Sequence, residues 1–154
     1  MPDIIRKCAD EDCIAFKVMF GRCFRQDYKI PLTENQLGGL CDDIASQVTA
    51  NVIFLDLLII DDIAQGFVIY QIDSPDSDWC EKEGYGFIRE LYVAAERRRA
   101  GHGKSLAAHA ETQLRDKSVP GIYLTTDEAM DFWGKMGYRD TGEIAKNNGR
   151  VFMK

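Results

Sequence analysis

The stretch ELYVAAERRRAGHGKSLAAHAETQL, residues 90–114, decides how the rest of the chain is read. Ile88, Leu91, Tyr92 and Val93 form a short β-favouring run. It breaks at Ala94-Ala95-Glu96 into a basic turn, Arg97 to Lys104, that carries Gly101 and Gly103. Leu106, Ala107, Ala110 and Leu114 then recur at helical spacing, with Lys104, Ser105, Glu111 and Arg115 elsewhere on the wheel. A helix N-terminus carries unpaired N–H groups and partial positive charge, which suits a phosphate. The two glycines let a ligand approach the backbone because no Cβ intervenes. Strand, basic glycine turn and helix together describe an anion site fitted to a pyrophosphate.

Two phosphate-loop patterns compete for this turn. Gly103-Lys104-Ser105 looks like the end of a nucleotide-binding P-loop, which requires another glycine at position 98. Arg98 stands there, and the stretch lies past mid-chain. The second pattern fits. Val93, Arg98, Gly101 and Gly103 resemble the V-x-P-x-x-Q/R-x-x-G-x-G/A signature of the GNAT superfamily of acyl-CoA-dependent N-acetyltransferases, with Ala95 in place of the proline. Downstream, Ala129, Phe132, Trp133, Gly137 and Tyr138 resemble the family's A-x-x-F-Y-x-x-x-G-F segment. The two motifs stand in family order, near the family's usual length.

The resemblance implies an α/β fold in a single domain over residues 1–154. Its sheet is mixed and mostly antiparallel, with about six or seven strands splayed between two central parallel strands and about four flanking helices. It further implies acetyl-CoA as cofactor and an amine as acceptor, either a small cationic molecule or a peptide. The two parallel strands, about 86–93 and 120–125, would splay apart around the cofactor. Its pantetheine would pair with Leu91, Tyr92 and Val93. Its pyrophosphate would take N–H groups from Arg99, Ala100, Gly101, His102, Gly103 and Lys104, at the helix start before Ser105. Arg98 and Lys104 would close over the phosphates.

Amide formation makes three demands on such a site. The amine must lose a proton, the oxyanion needs a donor, and a thiolate of pKa roughly 8.5 must leave. Glu90 is the best-placed carboxylate to take the proton, or it recognises the acceptor or pairs with Arg89. An N–H near Val93 is the natural oxyanion donor. Strand alternation puts Glu90 and Tyr92 on one face, unless a bulge intervenes. Trp133, which the motif places at the cofactor, occupies the position of a tyrosine that in much of the family protonates the thiolate. An indole N–H donates hydrogen bonds but does not release its proton near neutrality. The departure keeps open a second reading, a non-catalytic acyl-CoA-binding or sensor protein.

Composition sets the outer bounds. The chain has 154 residues, 45% of them hydrophobic, enough for one domain with a core. Its net charge of −6 argues against non-specific nucleic-acid binding, so the basic turn is a local exception. Five cysteines without a C-x-x-C pair read as reduced thiols of a cytoplasmic protein, and no metal site is expected. The most apolar run, Ile53 to Ile60, is far shorter than the roughly twenty residues of a membrane-spanning helix. A homodimer is compatible with the family, and nothing in the residue pattern marks an interface.

The remaining elements follow in order. Ile4 and Ile5 begin a strand. Ile14, Ala15, Val18, Met19, Arg22 and Cys23 step at helical spacing as a first apolar face. Thr33 and Gln36 form a capping box for a second helix bearing Leu37, Leu40, Cys41, Ile44, Ala45 and Val48. In the family the segment between these helices borders the acceptor site, so Phe24, Tyr28 and Ile30 line either that pocket or a packed connector. Residues 52–60 and 63–72 read as a hairpin about Asp61-Asp62, with Gly66 marking a bulge. The acids Asp73, Asp76, Asp78, Glu81 and Glu83 read as a solvated loop or as an attractor for a cationic amine. Thr125 and Glu128 read as the capping box of a helix that Gly137 ends, and Asn148-Gly149 as the turn of a closing hairpin.

Overall fold

The computed structural model describes residues 3–76 and 80–154. In chain order, β1 (Ile4–Lys7) leads into α1 (Cys13–Arg22), a π turn (Cys23–Asp27) and α2 (Glu34–Thr49). β2 (Phe54–Ile60), β3 (Ile63–Ile72) and β4 (Gly86–Val93) follow, then α3 (His102–Asp116) and β5 (Ile122–Thr126). α4 (Met130–Lys135), β6 (Arg139–Ile144) and β7 (Arg150–Met153) complete the chain. The strands form one seven-stranded sheet in the order β1-β2-β3-β4-β5-β7-β6. β4 and β5 run parallel, whereas β1/β2, β5/β7 and β6/β7 are antiparallel. The α/β class, the mixed sheet and the central parallel pair agree with the sequence reading.

The backbone groups into two compact units, each discontinuous in sequence. The first is Met1–Ile69 with Glu90–Leu106, and the second is Tyr70–Arg89 with Ala107–Lys154.

In the first unit, Phe16, Met19, Phe20 and Cys23 pack with Leu37 and Ile44 of α2 against Leu57, Phe67 and Tyr92 of the strands. The expected face of α1 is corrected here. Ile14 is 82% exposed and Val18 48%, while the buried stripe is Phe16, Met19, Phe20 and Cys23. Both stripes have helical spacing, and the one carrying two phenylalanines buries more apolar area. Phe16 meets Phe67 edge-on at 5.1 Å, and Phe67 stacks on Tyr92 at 5.5 Å. The capping box of α2 forms as read, with Gln36 N–H donating to Thr33 Oγ1 at 3.1 Å and Thr33 N–H to Gln36 Oε1 at 2.9 Å. Leu37 and Ile44 are buried there, whereas Ala45 is exposed. The β2–β3 hairpin turns on Asp61 and Asp62, both at positive φ (51° and 65°), as a two-residue primed turn requires. Gly66 serves a close approach: a Cβ there would lie 2.6 Å from the Tyr92 carbonyl oxygen.

In the second unit, Phe87 and Tyr123 stack at 4.6 Å with rings 4° from parallel, over Val151 and Ala145. Gly86 is confined, since a Cβ would sit 2.9 Å from Leu114 Cδ1. Two polar readings change in this unit. Glu111, assigned to the polar side of α3, is 4% exposed. It accepts from the Tyr138 hydroxyl at 2.7 Å and from Lys154 Nζ at 3.3 Å. Asp73 is neither solvated nor an attractor for an amine. It is 2% exposed and accepts from the Tyr123 hydroxyl, the N–H groups of Glu81 and Lys82 (both 3.0 Å), Ser74 N–H (3.2 Å) and Gln71 Nε2 (3.3 Å). Its carboxylate fastens the two ends of the acidic loop. Asp78 lies outside the described residues.

The helix at Thr125 also begins later than read. α4 starts at Met130, with Thr126 Oγ1 accepting from Ala129 N–H at 3.1 Å. Thr125 instead accepts from Asn147 Nδ2 at 3.0 Å. Gly137 ends the helix at φ 95°, and Tyr138 N–H reaches back to the Trp133 carbonyl at 3.0 Å, as a left-handed cap should. Asn148 (φ 68°) turns the closing hairpin.

Candidate active site

The first unit carries most of the predicted site: the end of β4, the basic turn and the start of α3. At its other end, in the second unit, β4 pairs with β5 in register at only two positions, Gly86↔Ile122 and Phe87↔Tyr123. The hydrogen-bonding side of β4 also changes along its length. Gly86 N–H donates to Gly121 O at 2.9 Å, whereas Ala94 N–H donates to Gln65 O, beside Gly66 on β3, at 2.7 Å. Residues an even number apart should bond on the same side of a regular strand, so one irregularity lies between them. That irregularity belongs to β4.

Past that irregularity, the Tyr92 carbonyl faces Gly66 and Ala94 N–H faces Gln65, both on β3. Val93 accordingly turns its N–H and carbonyl to the opposite edge. Its carbonyl accepts from Arg98 Nε at 2.8 Å. Glu90 and Tyr92 both face the Cys23–Tyr28 segment, as alternation suggested. The Tyr28 hydroxyl donates to Glu90 Oε2. Burial first, and then the charge of Glu90, raise the Tyr28 phenol well above its ordinary value. The same two causes push the Cys23 thiol up to about 12.

The turn itself has the shape that its residues demand. Arg99 (φ 64°) and Gly101 (φ 86°) both adopt left-handed backbone, and a Cβ on Gly101 would meet nothing within 4 Å. Ser105 N–H opens the helical ladder on Gly101 O at 3.1 Å, and Ser105 Oγ donates to the same carbonyl. The N–H groups of His102, Gly103 and Lys104 precede that bond, so they have no intrahelical partner at the positive end of a fifteen-residue helix. His102 Nδ1 lies 3.7 Å from the Asp3 carboxylate, which leaves its contribution to the turn a backbone one.

Arg98 is braced more tightly than its motif role suggests. Beside the Val93 carbonyl, its Nη2 binds Asp27 Oδ2 at 2.8 Å, and its guanidinium lies 5.7 Å from the Tyr92 ring centroid. Its Nη1 has no protein partner among the described residues. Sequence reading missed Asp27 and the hydroxyl contact of Tyr28. Nothing local links a π turn to residues more than sixty positions away.

Trp133 lies in the second unit. It is 7% exposed and held edge-on between Phe132 (4.9 Å) and Tyr138 (5.3 Å). Among the described residues no cluster of three side chains is arranged to hold a metal ion, and no helix is long and apolar enough to cross a membrane.

Comparison with known proteins settles the family. The model of the acetyltransferase (GNAT) family matches residues 19–138. The chain belongs to this family. Among solved structures, a PaiA N-acetyltransferase from Thermoplasma acidophilum bound to coenzyme A is 18% identical with a TM-score of 0.75, over 100% of this chain and 99% of that one. A predicted acetyltransferase from Clostridium acetobutylicum with acetyl-CoA is 16% identical with a TM-score of 0.77, over 92% and 93%. The aminoglycoside N-acetyltransferase AAC(6')-Iy, in complex with a bisubstrate analogue, is 15% identical with a TM-score of 0.68, over 88% and 87%. No curated protein matches the chain in sequence. These identities carry the fold, and the family match carries the activity class: an acetyl-CoA-dependent acetyltransferase acting on an amine. The open space at Gly101, the N–H groups at the start of α3 and the edge-facing Val93 fit that cofactor's phosphates and amide chain.

Proposed function

We propose that this GNAT enzyme acetylates a primary amine of a small cationic molecule or peptide in the cytoplasm, by direct attack within a ternary complex. Acetyl-CoA supplies the acyl group as a thioester. Backbone of Leu91, Tyr92 and Val93 and the turn Arg98–Ser105 would hold it, with Lys104 and Arg98 Nη1 adding charge near the phosphates. Glu90 accepts the proton of the acceptor ammonium, freeing the nitrogen lone pair, and Val93 N–H meets the oxyanion that develops on the acyl carbonyl. The observation that carries this reading lies on one strand. Glu90 and the edge-facing Val93 N–H stand three residues apart, immediately before the basic turn. The Glu90 carboxylate beside Tyr28 favours a cationic acceptor. The test is thiol release measured across an amine library, which should depend on both acetyl-CoA and the amine. Tight acetyl-CoA binding without amine-dependent release from any acceptor would support the non-catalytic reading instead.

Gly103 offers a direct check of the turn. It lies in the first turn of α3, so valine is compatible with its helical backbone while filling the space where phosphates approach. Gly103→Val is expected to lose measurable acetyl-CoA binding by calorimetry while unfolding as the parent does. Unchanged affinity would place the phosphates elsewhere.

Trp133 keeps the second reading alive, because an indole has no proton to give a departing thiolate. Expelling a thiolate of pKa roughly 8.5 at pH 7 without an acid costs about 2 kcal/mol, or some tens-fold in rate. The expected single-turnover rate therefore climbs from pH 6 to 9. Trp133→Phe should keep that profile within about threefold at saturating cofactor, although trimming a ring packed between Phe132 and Tyr138 lowers stability by about 1–3 kcal/mol. Trp133→Tyr should raise the rate near pH 7 and flatten the profile. A hundredfold collapse in Trp133→Phe, with cofactor affinity intact, would assign the indole a chemical role.

A further inference from the structure

We propose that Tyr28 is the positioning residue for Glu90, so that the segment between α1 and α2 orients the base. The inference rests on the reading of Glu90 given above and adds a residue to it. The hydroxyl of Tyr28 donates to Glu90 Oε2 across 62 positions of sequence. A glutamate side chain on a strand has rotational freedom beyond Cβ, and a fixed donor removes it.

The donor is itself fixed from three directions. The Tyr28 ring meets Phe24 edge-on at 5.3 Å, Phe24 stacks on Phe20 at 4.8 Å, and Phe20 stacks on Phe67 at 6.0 Å. The backbone closes around it as a π turn, with Tyr28 N–H donating to Cys23 O at 3.0 Å and Ile30 N–H to Phe24 O at 2.8 Å. That wider turn inserts one residue relative to an α-helix and re-aims the side chains that follow it. One residue earlier, Asp27 is tied to Arg98 at 2.8 Å. Among the described residues, the charged and titratable groups near the Tyr28–Glu90 pair include Cys23, Asp27, Arg98 and, two positions along the strand from Glu90, Tyr92 with Arg22 beside it. Cys23 is buried with its thiol raised.

The test uses the full-length protein and four forms: parent, Tyr28→Phe, Glu90→Gln and the double variant. Phenylalanine keeps the ring and its contact with Phe24, so the fold is retained. The first readout is a carbon-13 NMR titration of the glutamate carboxyls, with the Glu90 signal assigned by its loss in Glu90→Gln. Removing a donor from a carboxylate favours its protonated form, so the Glu90 midpoint should move to higher pH in Tyr28→Phe. An unmoved midpoint overturns the proposal. The second readout is amine-dependent thiol release with 1,4-diaminobutane and a lysine-containing peptide as probes. Tyr28→Phe should lower kcat/KM by about tenfold, a fold-change typical of losing a hydrogen bond to a charged group. It should leave acetyl-CoA affinity unchanged, and its effect should shrink to less than about twofold in the Glu90→Gln background. An equal loss in both backgrounds would make Tyr28 an acceptor contact and sink the positioning role. If the Glu90 midpoint moves while Glu90→Gln retains full turnover, the contact stands and the reading of Glu90 as base is what fails.

Discussion

Replacing Glu90 by glutamine is expected to lower kcat/KM by about a hundredfold or more, the usual range for loss of a general base. Glutamine keeps the shape and can still accept from the Tyr28 hydroxyl, so the local structure should survive. It cannot take the ammonium proton. The loss should shrink as pH approaches the amine's own pKa, near about 10.4 for a lysine-like acceptor, because solution then supplies the neutral amine. Acetyl-CoA affinity should stay unchanged if, as proposed, the turn after Val93 holds the phosphates. Steady-state kinetics from pH 6 to 10 would decide. A Glu90→Gln enzyme with parental kcat/KM at pH 7 would show that proton removal runs through water or another group.

The second large effect concerns stability. Asp73→Ala is expected to cost about 3 kcal/mol, because it strands a tyrosine hydroxyl and backbone donors of the acidic loop. The carboxylate is 2% exposed and gathers Tyr123, Gln71 and the N–H groups of Ser74, Glu81 and Lys82. Alanine leaves them without an acceptor in a place that excludes water. Tyr123→Phe should cost less, about 1–2 kcal/mol, since the ring keeps its stack on Phe87 and Glu81 N–H, which the hydroxyl also accepts from, still has Asp73. Burial, and next the bond to Asp73, raise the Tyr123 phenol above its ordinary value, so the hydroxyl stays protonated and donating. Urea unfolding of the three proteins gives the comparison. A midpoint for Asp73→Ala within error of the parent would mean that the loop is held by other contacts.

Glycines, caps and periodicity were legible because they act locally. Thr33 and Gln36 cap α2, Gly137 ends α4, and Asp61-Asp62 and Asn148 turn hairpins, each through backbone requirements that two or three neighbours satisfy. The cofactor turn was legible for the same reason. Its glycines and the unpaired N–H groups of the helix start follow from the order of residues 101–105, whereas the left-handed Arg99 does not. Local rules also misled where two answers satisfied them. α1 offers two stripes of helical period, and only the strands beneath it, presenting Leu57 and Phe67, select Phe16, Met19 and Phe20 over Ile14 and Val18.

What the sequence by itself determined is the family, the strand–turn–helix with its basic glycine turn, and the absence of a tyrosine at residue 133. What only the tertiary structure decided is which charges are buried and what they hold. Asp73 and Glu111 look like surface acids in sequence, and Asp27 and Tyr28 like part of a connector. Asp73 and Glu111 are buried on tyrosine hydroxyls, Asp27 is bonded to Arg98, and the hydroxyl of Tyr28 is on Glu90. A buried carboxylate needs several donors, and at each of these acids at least one comes from a distant element: Tyr123 for Asp73, Tyr138 and Lys154 for Glu111. Only folding brings those distant donors to the acid.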